Sequence, residues 1–174
     1  PTTIHWHGIR VPNSMDGVPD VTQPAVKPGD TFTYQFVVDV PGIYWYHPHV
    51  NSSAQVGWGL YGALVVENPN DSKSFGDELV LVLSDMSVDA QGHLNTADSG
   101  GQFGDLFGRE GNLLLVNGKV VPHLKVRAGK PQRWRIVNAS RARYCSFVIH
   151  GDMLTRIGSG YGVAAGPERA SGLT

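Results

Sequence analysis

In the run Thr31-Phe32-Thr33-Tyr34-Gln35-Phe36-Val37 the aromatic residues fall on every second position. Side chains of an extended chain alternate between two faces, so this pattern gives one buried face and one wetted face. It fits a strand and not a helix. The rest of the chain agrees, because short apolar or alternating segments stop at Gly, Pro, Asn or Asp and helical periodicity is nearly absent. Candidate strands are Thr31–Val38, Ile43–His47, Gly62–Glu67, Glu78–Val88, Leu113–Val116, Arg133–Val137, Arg143–His150 and Met153–Ile157. Many short strands punctuated by turn residues indicate β-sandwich architecture. The expected fold class is all-β.

Two units in tandem are expected. Residues 67–77 are polar and turn-rich, which suggests a linker at 70–77 between a unit at 1–69 and another at 78–174. Val26-Lys27-Pro28-Gly29, followed by Tyr34 and Phe36, matches Val126-Arg127-Ala128-Gly129, followed by Trp134 and Ile136, at a constant offset of 100 residues. Gly92–Gly111 reads as a long surface loop. The stretch 158–174 has no clear strand pattern and reads as an atypical tail.

Composition removes several functional classes. The 174 residues carry a net charge of −1 and no Lys/Arg run, so neither nucleic acid nor an anionic membrane is an expected partner. No stretch approaches the roughly 20 apolar residues of a membrane-spanning helix. One cysteine, Cys145, allows no disulfide within the chain. It reads as a small apolar residue on a strand.

The histidines carry the chemistry. Four of the seven form two His-x-His pairs, His5-Trp6-His7 and His47-Pro48-His49, where chance placement would give about 0.3 pairs. On a strand, residues i and i+2 face one side, roughly 6.6 Å apart. Two such pairs on neighbouring strands would turn four imidazoles toward one place. With no Cys, Asp or Glu close in sequence, the donor set favours copper or an all-histidine zinc site. The same lack of a general base argues against a zinc hydrolase. Trp6, Trp45 and Tyr46 flank these positions and read first as core packing. Asp16 and Asp20 fit a turn, while His93, His123 and His150 read as exposed or turn residues.

The surroundings resemble the multicopper oxidases. His5-Trp6-His7-Gly8, then Asp16-Gly17-Val18-Pro19-Asp20 and Thr22-Gln23-Pro24, resembles the family's first copper motif. Pro41-Gly42-Ile43-Tyr44-Trp45-Tyr46-His47-Pro48-His49, then Gln55 and Gly59–Val66, resembles the second. Leu115-Val116-Asn117-Gly118 and Trp134–Ser140 look like the middle domain of a three-domain laccase.

This resemblance implies tandem cupredoxin-like Greek-key β-sandwiches, the first incomplete at its start and the second at its end, as in an N-terminal fragment. It also implies copper as cofactor, with His5 on a type 2 ion, His7 and His47 sharing one type 3 ion, and His49 on the other. Dioxygen and phenolic or aromatic amine donors are the implied partners, and a secreted or periplasmic location is favoured. No type 1 copper motif is present, so negligible oxidase activity is expected of this chain alone. The alternative from another class is a non-catalytic copper-binding cupredoxin, such as a copper carrier or resistance protein.

Overall fold

The computed structural model of the protein describes residues 1–69, 76–95, 101–158 and 163–173. Its first sheet contains β1 (Ile4–His7), β2 (Gly42–Pro48) and β3 (Gly62–Val66), antiparallel and in that order. A short helix, α1 (Ser52–Gly57), joins β2 to β3. A second sheet is built on β4 (Asp77–Met86), which pairs antiparallel with β5 (Leu113–Val116) and parallel with β6 (Gln132–Asn138). Two ribbons follow. β7 (Phe147–Val148) pairs with β10 (Gly172–Leu173), and β8 (Leu154–Gly158) pairs with β9 (Val163–Ala170). The architecture is all-β and cupredoxin-like.

The second sheet explains the residues that looked like family motifs. Asn117 and Gly118 both have positive φ, 50° and 74°, and turn the chain from Val116 to Lys119 as a tight hairpin. The Asn117 side chain then copies a strand: its Oδ1 accepts from Val82 N at 2.8 Å and its Nδ2 donates to Val80 O at 2.9 Å. Asn138 works in the same way on the loop after β6. Its Oδ1 accepts from Ser140 N at 3.0 Å and its Nδ2 donates to Arg143 O at 2.8 Å. The two related turns also correspond, since Gly29 and Gly129 both take positive φ, 88° and 72°.

Several sequence expectations need correction. Thr31–Val38 alternates in burial as expected but pairs with no strand among the described residues. The aromatic face of the segment is half-buried, and its backbone ladder is not made among the described residues. Arg143–His150 is a strand only at Phe147–Val148, because Arg143 is turned inward to Gly111 O at 2.9 Å and Glu110 at 3.1 Å. Cys145 therefore lies in irregular chain and not on a strand.

The expected loop at Gly92–Gly111 contains a helix, α2 (Gly101–Phe107), with the Phe103 and Phe107 rings stacked 6.4 Å apart. Phe103, Leu106 and Phe107 have the i, i+3, i+4 spacing of a helix face; residues 96–100 lie outside the described chain. Finally, the atypical tail supplies β9 and β10. Gly166 and Pro167 hide this strand from the sequence pattern; they fall where the register shifts between Arg156–Glu168 and Gly158–Val163, an irregularity that admits both residues. Of the expected linker, residues 70–75 lie outside the described chain and Asp77 already belongs to β4.

Replacing Asn117 tests the strand-mimic role. N117A removes two side-chain hydrogen bonds and leaves a residue that tolerates left-handed backbone less well than Asn, so chemical denaturation should show a loss of about 2 kcal/mol. N117G keeps the backbone conformation and should lose less; equal losses would place the whole effect on the side-chain bonds.

Candidate metal centre

The pairing of β1 with β2 sets His5 directly opposite His47 and His7 opposite Trp45. Because side chains alternate along each strand, His5, His7, Trp45 and His47 share one face. The ring centroids lie 5.8 Å apart for His5–His7, 5.4 Å for His5–His47 and 5.7 Å for His7–His47. One ligand nitrogen from each of these three lies within 4.8 Å of the others. His49, just past the end of β2, flanks the trio with its centroid 5.4 Å from His5 and 6.3 Å from His47. The two sequence pairs are thus brought together. Among the described residues no other group of three His, Cys, Asp or Glu side chains converges.

The three flanking aromatics divide between the faces. Trp6 and Tyr46 are opposite each other on the back, with ring centroids 5.7 Å apart. Trp6 also meets Tyr34 at 5.4 Å and Phe36 at 5.1 Å, so the back face is core packing. Trp45 instead lies on the histidine face, with its ring 4.5 Å from His47 and 5.0 Å from His7. It forms a wall of the site.

Backbone carbonyls orient two of the rings. His5 Nδ1 lies 2.9 Å from the carbonyl oxygen of Asp16 and 3.4 Å from its carboxylate. His47 Nδ1 lies 2.9 Å from Pro48 O, with Ser52 Oγ at 3.3 Å. A carbonyl oxygen can only accept, so each Nδ1 is a donor to it, and a neutral ring held this way would present the Nε2 lone pair to a metal. The sequence reading saw Asp16 only as a turn residue; its orienting group is a main-chain oxygen that no side-chain pattern reveals. Gly17 makes the contact sterically feasible. It has φ +78°, and a Cβ there would sit 1.8 Å from Ile4 O. Only glycine lets the Asp16 turn lie against β1.

Electrostatics favour the neutral, metal-ready form. Burial holds the His47 imidazole below its ordinary range, and positive charge on His5, His7 or His49 would push it further down; the bond to Pro48 opposes this. His7 is also held low, by desolvation first and then by His5. A cleft of about 240 Å³ opens beside this face, lined by His7, Ile43, Tyr44, Trp45, Ile136, Val137 and Asn138. It brings β6 of the second unit to the edge of the site.

The remaining histidines stay outside. His93 is exposed, its backbone and ring bonded to Asp89 in a tight turn. His123 and His150 are exposed. Asp20 takes left-handed backbone in its turn, φ 62°.

Comparison with known proteins agrees with this geometry. A family profile described as multicopper oxidase matches residues 1–71. Multicopper oxidase MmcO of Mycobacterium tuberculosis is 30% identical over 89% of this chain and 36% of its own length. The crystal structure of blue copper oxidase from Nitrosomonas europaea superposes with a TM-score of 0.83 at 31% identity, covering 99% of this chain and 55% of that one. The chain belongs to the multicopper oxidase family. Copper resistance protein A of Pseudomonas syringae pv. tomato is also similar, 45% identical over 48% of this chain and 14% of its own length. This multicopper oxidase chain thus spans about a third of its full-length MmcO relative. No helix among its described residues is long and apolar enough to cross a membrane.

Two outcomes follow from the site's local structure. G17A should destabilise the chain by a few kcal/mol in denaturant titrations, because a backbone clash and positive φ combine. The second outcome concerns pH. His7 and His47 have folded-state values below the ordinary 6.5, so the unfolded chain takes up these protons first. Stability should be intact above about pH 6.5 and be lost as pH falls through the lowered folded values. Thermal melts of the metal-free chain between about pH 7 and 5 should show this slope, and an H7Q/H47Q double variant should flatten it.

Proposed function

We propose that His5, His7, His47 and His49 are copper ligands supplying half of a trinuclear centre in a laccase-like multicopper oxidase. The observation that supports this most directly is the cross-strand convergence of imidazoles, two with Nδ1 tied to a carbonyl. All-nitrogen donor sets of this kind suit copper. In this reading His5 serves a type 2 ion, His7 and His47 share one type 3 ion, and His49 serves the other. The bound metal would supply the one-electron chemistry by which phenolic or aromatic amine donors are oxidised and dioxygen, taking four electrons and four protons, becomes two waters.

The chain's own residues supply geometry. Asp16 and Pro48 fix ring orientation through their carbonyls. Trp45 packs beside His7 and His47 on the same face and limits how their rings can turn. Tying Nδ1 in advance leaves less ring freedom to lose when a metal arrives. A secreted or periplasmic location suits this chemistry.

With half of the trinuclear ligands the isolated chain should hold copper weakly, and without a type 1 motif it should oxidise no phenolic donor. Elemental analysis, electron paramagnetic resonance and oxygen uptake on the purified, copper-loaded chain test this. Expected are copper bound through imidazole nitrogen, a loss of about tenfold or more in affinity for H5Q or H47Q, no intense blue band and no oxygen uptake. Binding untouched by either substitution would remove the ligand assignment. Tight copper binding by the isolated chain would favour a copper carrier.

A further inference from the structure

The second unit contributes no member of the histidine cluster, yet one of its side chains reaches the helix behind it. Arg141, in the loop after β6, donates from Nη2 to Ser53 Oγ of α1 at 2.8 Å. Gly57, at the other end of α1, is buried beneath the same side chain. A Cβ at Gly57 would lie 2.7 Å from Arg141 Nη1 and 3.0 Å from its Cδ. The guanidinium and its stem therefore occupy the space that any larger residue at 57 would take.

Both ends of this contact are anchored. On the second unit, Asn138 closes the loop by bonding Ser140 N and Arg143 O. Arg143 then bonds Gly111 O at 2.9 Å and reaches the buried Asp85 carboxylate at 3.4 Å. On the first unit, α1 begins at Ser52, whose Oγ is 3.3 Å from His47 Nδ1. Gln55 of the same helix is buried, accepts from Thr2 Oγ1 at 3.0 Å and donates to Val50 O at 2.5 Å. Helix α1 thus holds both sides of the turn that carries His47 and His49.

We propose that Arg141 is a positioning residue for the histidine cluster. It braces α1 from the second unit, so that Ser52 and Gln55 keep the His47–His49 turn in its ligand-presenting shape. The part played in metal binding rests on the copper reading given above; the effect on His47 does not. The second unit is in this view a support for the site as well as a neighbour.

Long-range proton–nitrogen spectra of the metal-free full chain, with imidazole nitrogens labelled, read the brace directly. In R141A and in S53A the His47 and His49 ring signals should shift or broaden, while the His5 signals, held by Asp16, stay in place. R141K, which can still donate to Ser53, should restore most of the His47 pattern. A competition titration with Cu(II) should then show about tenfold weaker binding for R141A and near-normal binding for R141K. Should R141A fail to fold, S53A, which removes one hydroxyl, gives the decisive spectrum. Unchanged His47 and His49 signals in the folded variants, or equal shifts at all four histidines, would overturn the proposal. A wild-type chain that binds no copper would sink the copper reading alone, because the spectra of the metal-free chain still report the brace.

Discussion

The ladder between β1 and β2 is the constraint on which the histidine cluster rests. His5 meets His47 because Ile4 pairs with Pro48 and Trp6 with Tyr46. A slip of one residue would send every side chain of β1 to the other face. The register is fixed from behind. Trp6 packs against Tyr34, Phe36 and Tyr46, a set of rings whose exposure would cost several kcal/mol. Burying those aromatics on one face leaves the histidines no choice but the other. The hydrophobic effect thus selects the donor arrangement before any metal is involved.

Orientation within that face is the work of main-chain oxygen atoms. Asp16 O and Pro48 O each take one ring nitrogen, and a glycine with positive φ allows the first of these turns to approach β1. Such a design separates identity from placement. The histidines could be read as donors from their type alone, while their direction depends on backbone geometry that many sequences could supply. The same division recurs in the second sheet, where Asn117 and Asn138 use side-chain amides in place of backbone pairing.

That division also explains how far the sequence was legible. The His-x-His pairs, the turn glycines and most strands were visible, because spacing and residue type carry them locally. Thr31–Val38 showed its buried face correctly but not its missing partner, since alternation reports burial and is silent about hydrogen bonding. The strand expected at Arg143–His150 shrank because Arg143 answers to Asp85 and Gly111, each far away in sequence. The tail was misjudged because Gly166 and Pro167 are poor strand residues in a sheet interior yet acceptable where the register of a ribbon shifts. Asp16 and Arg141 were missed for a common reason: one acts through a carbonyl that every residue possesses, and the other reaches a hydroxyl 88 residues away.

Trp45 has one more consequence. Its indole lies 4.5 Å from His47 and 5.0 Å from His7, centroid to centroid, on the donor face itself. Trp6 lies on the opposite face of the same sheet, and Trp134 is in the second unit. An ion held by His7 and His47 would thus be bound by rings that one indole touches, while the Trp6 indole lies across the sheet. The indole packed against two imidazoles is also a built-in optical gauge of whether the cluster is filled.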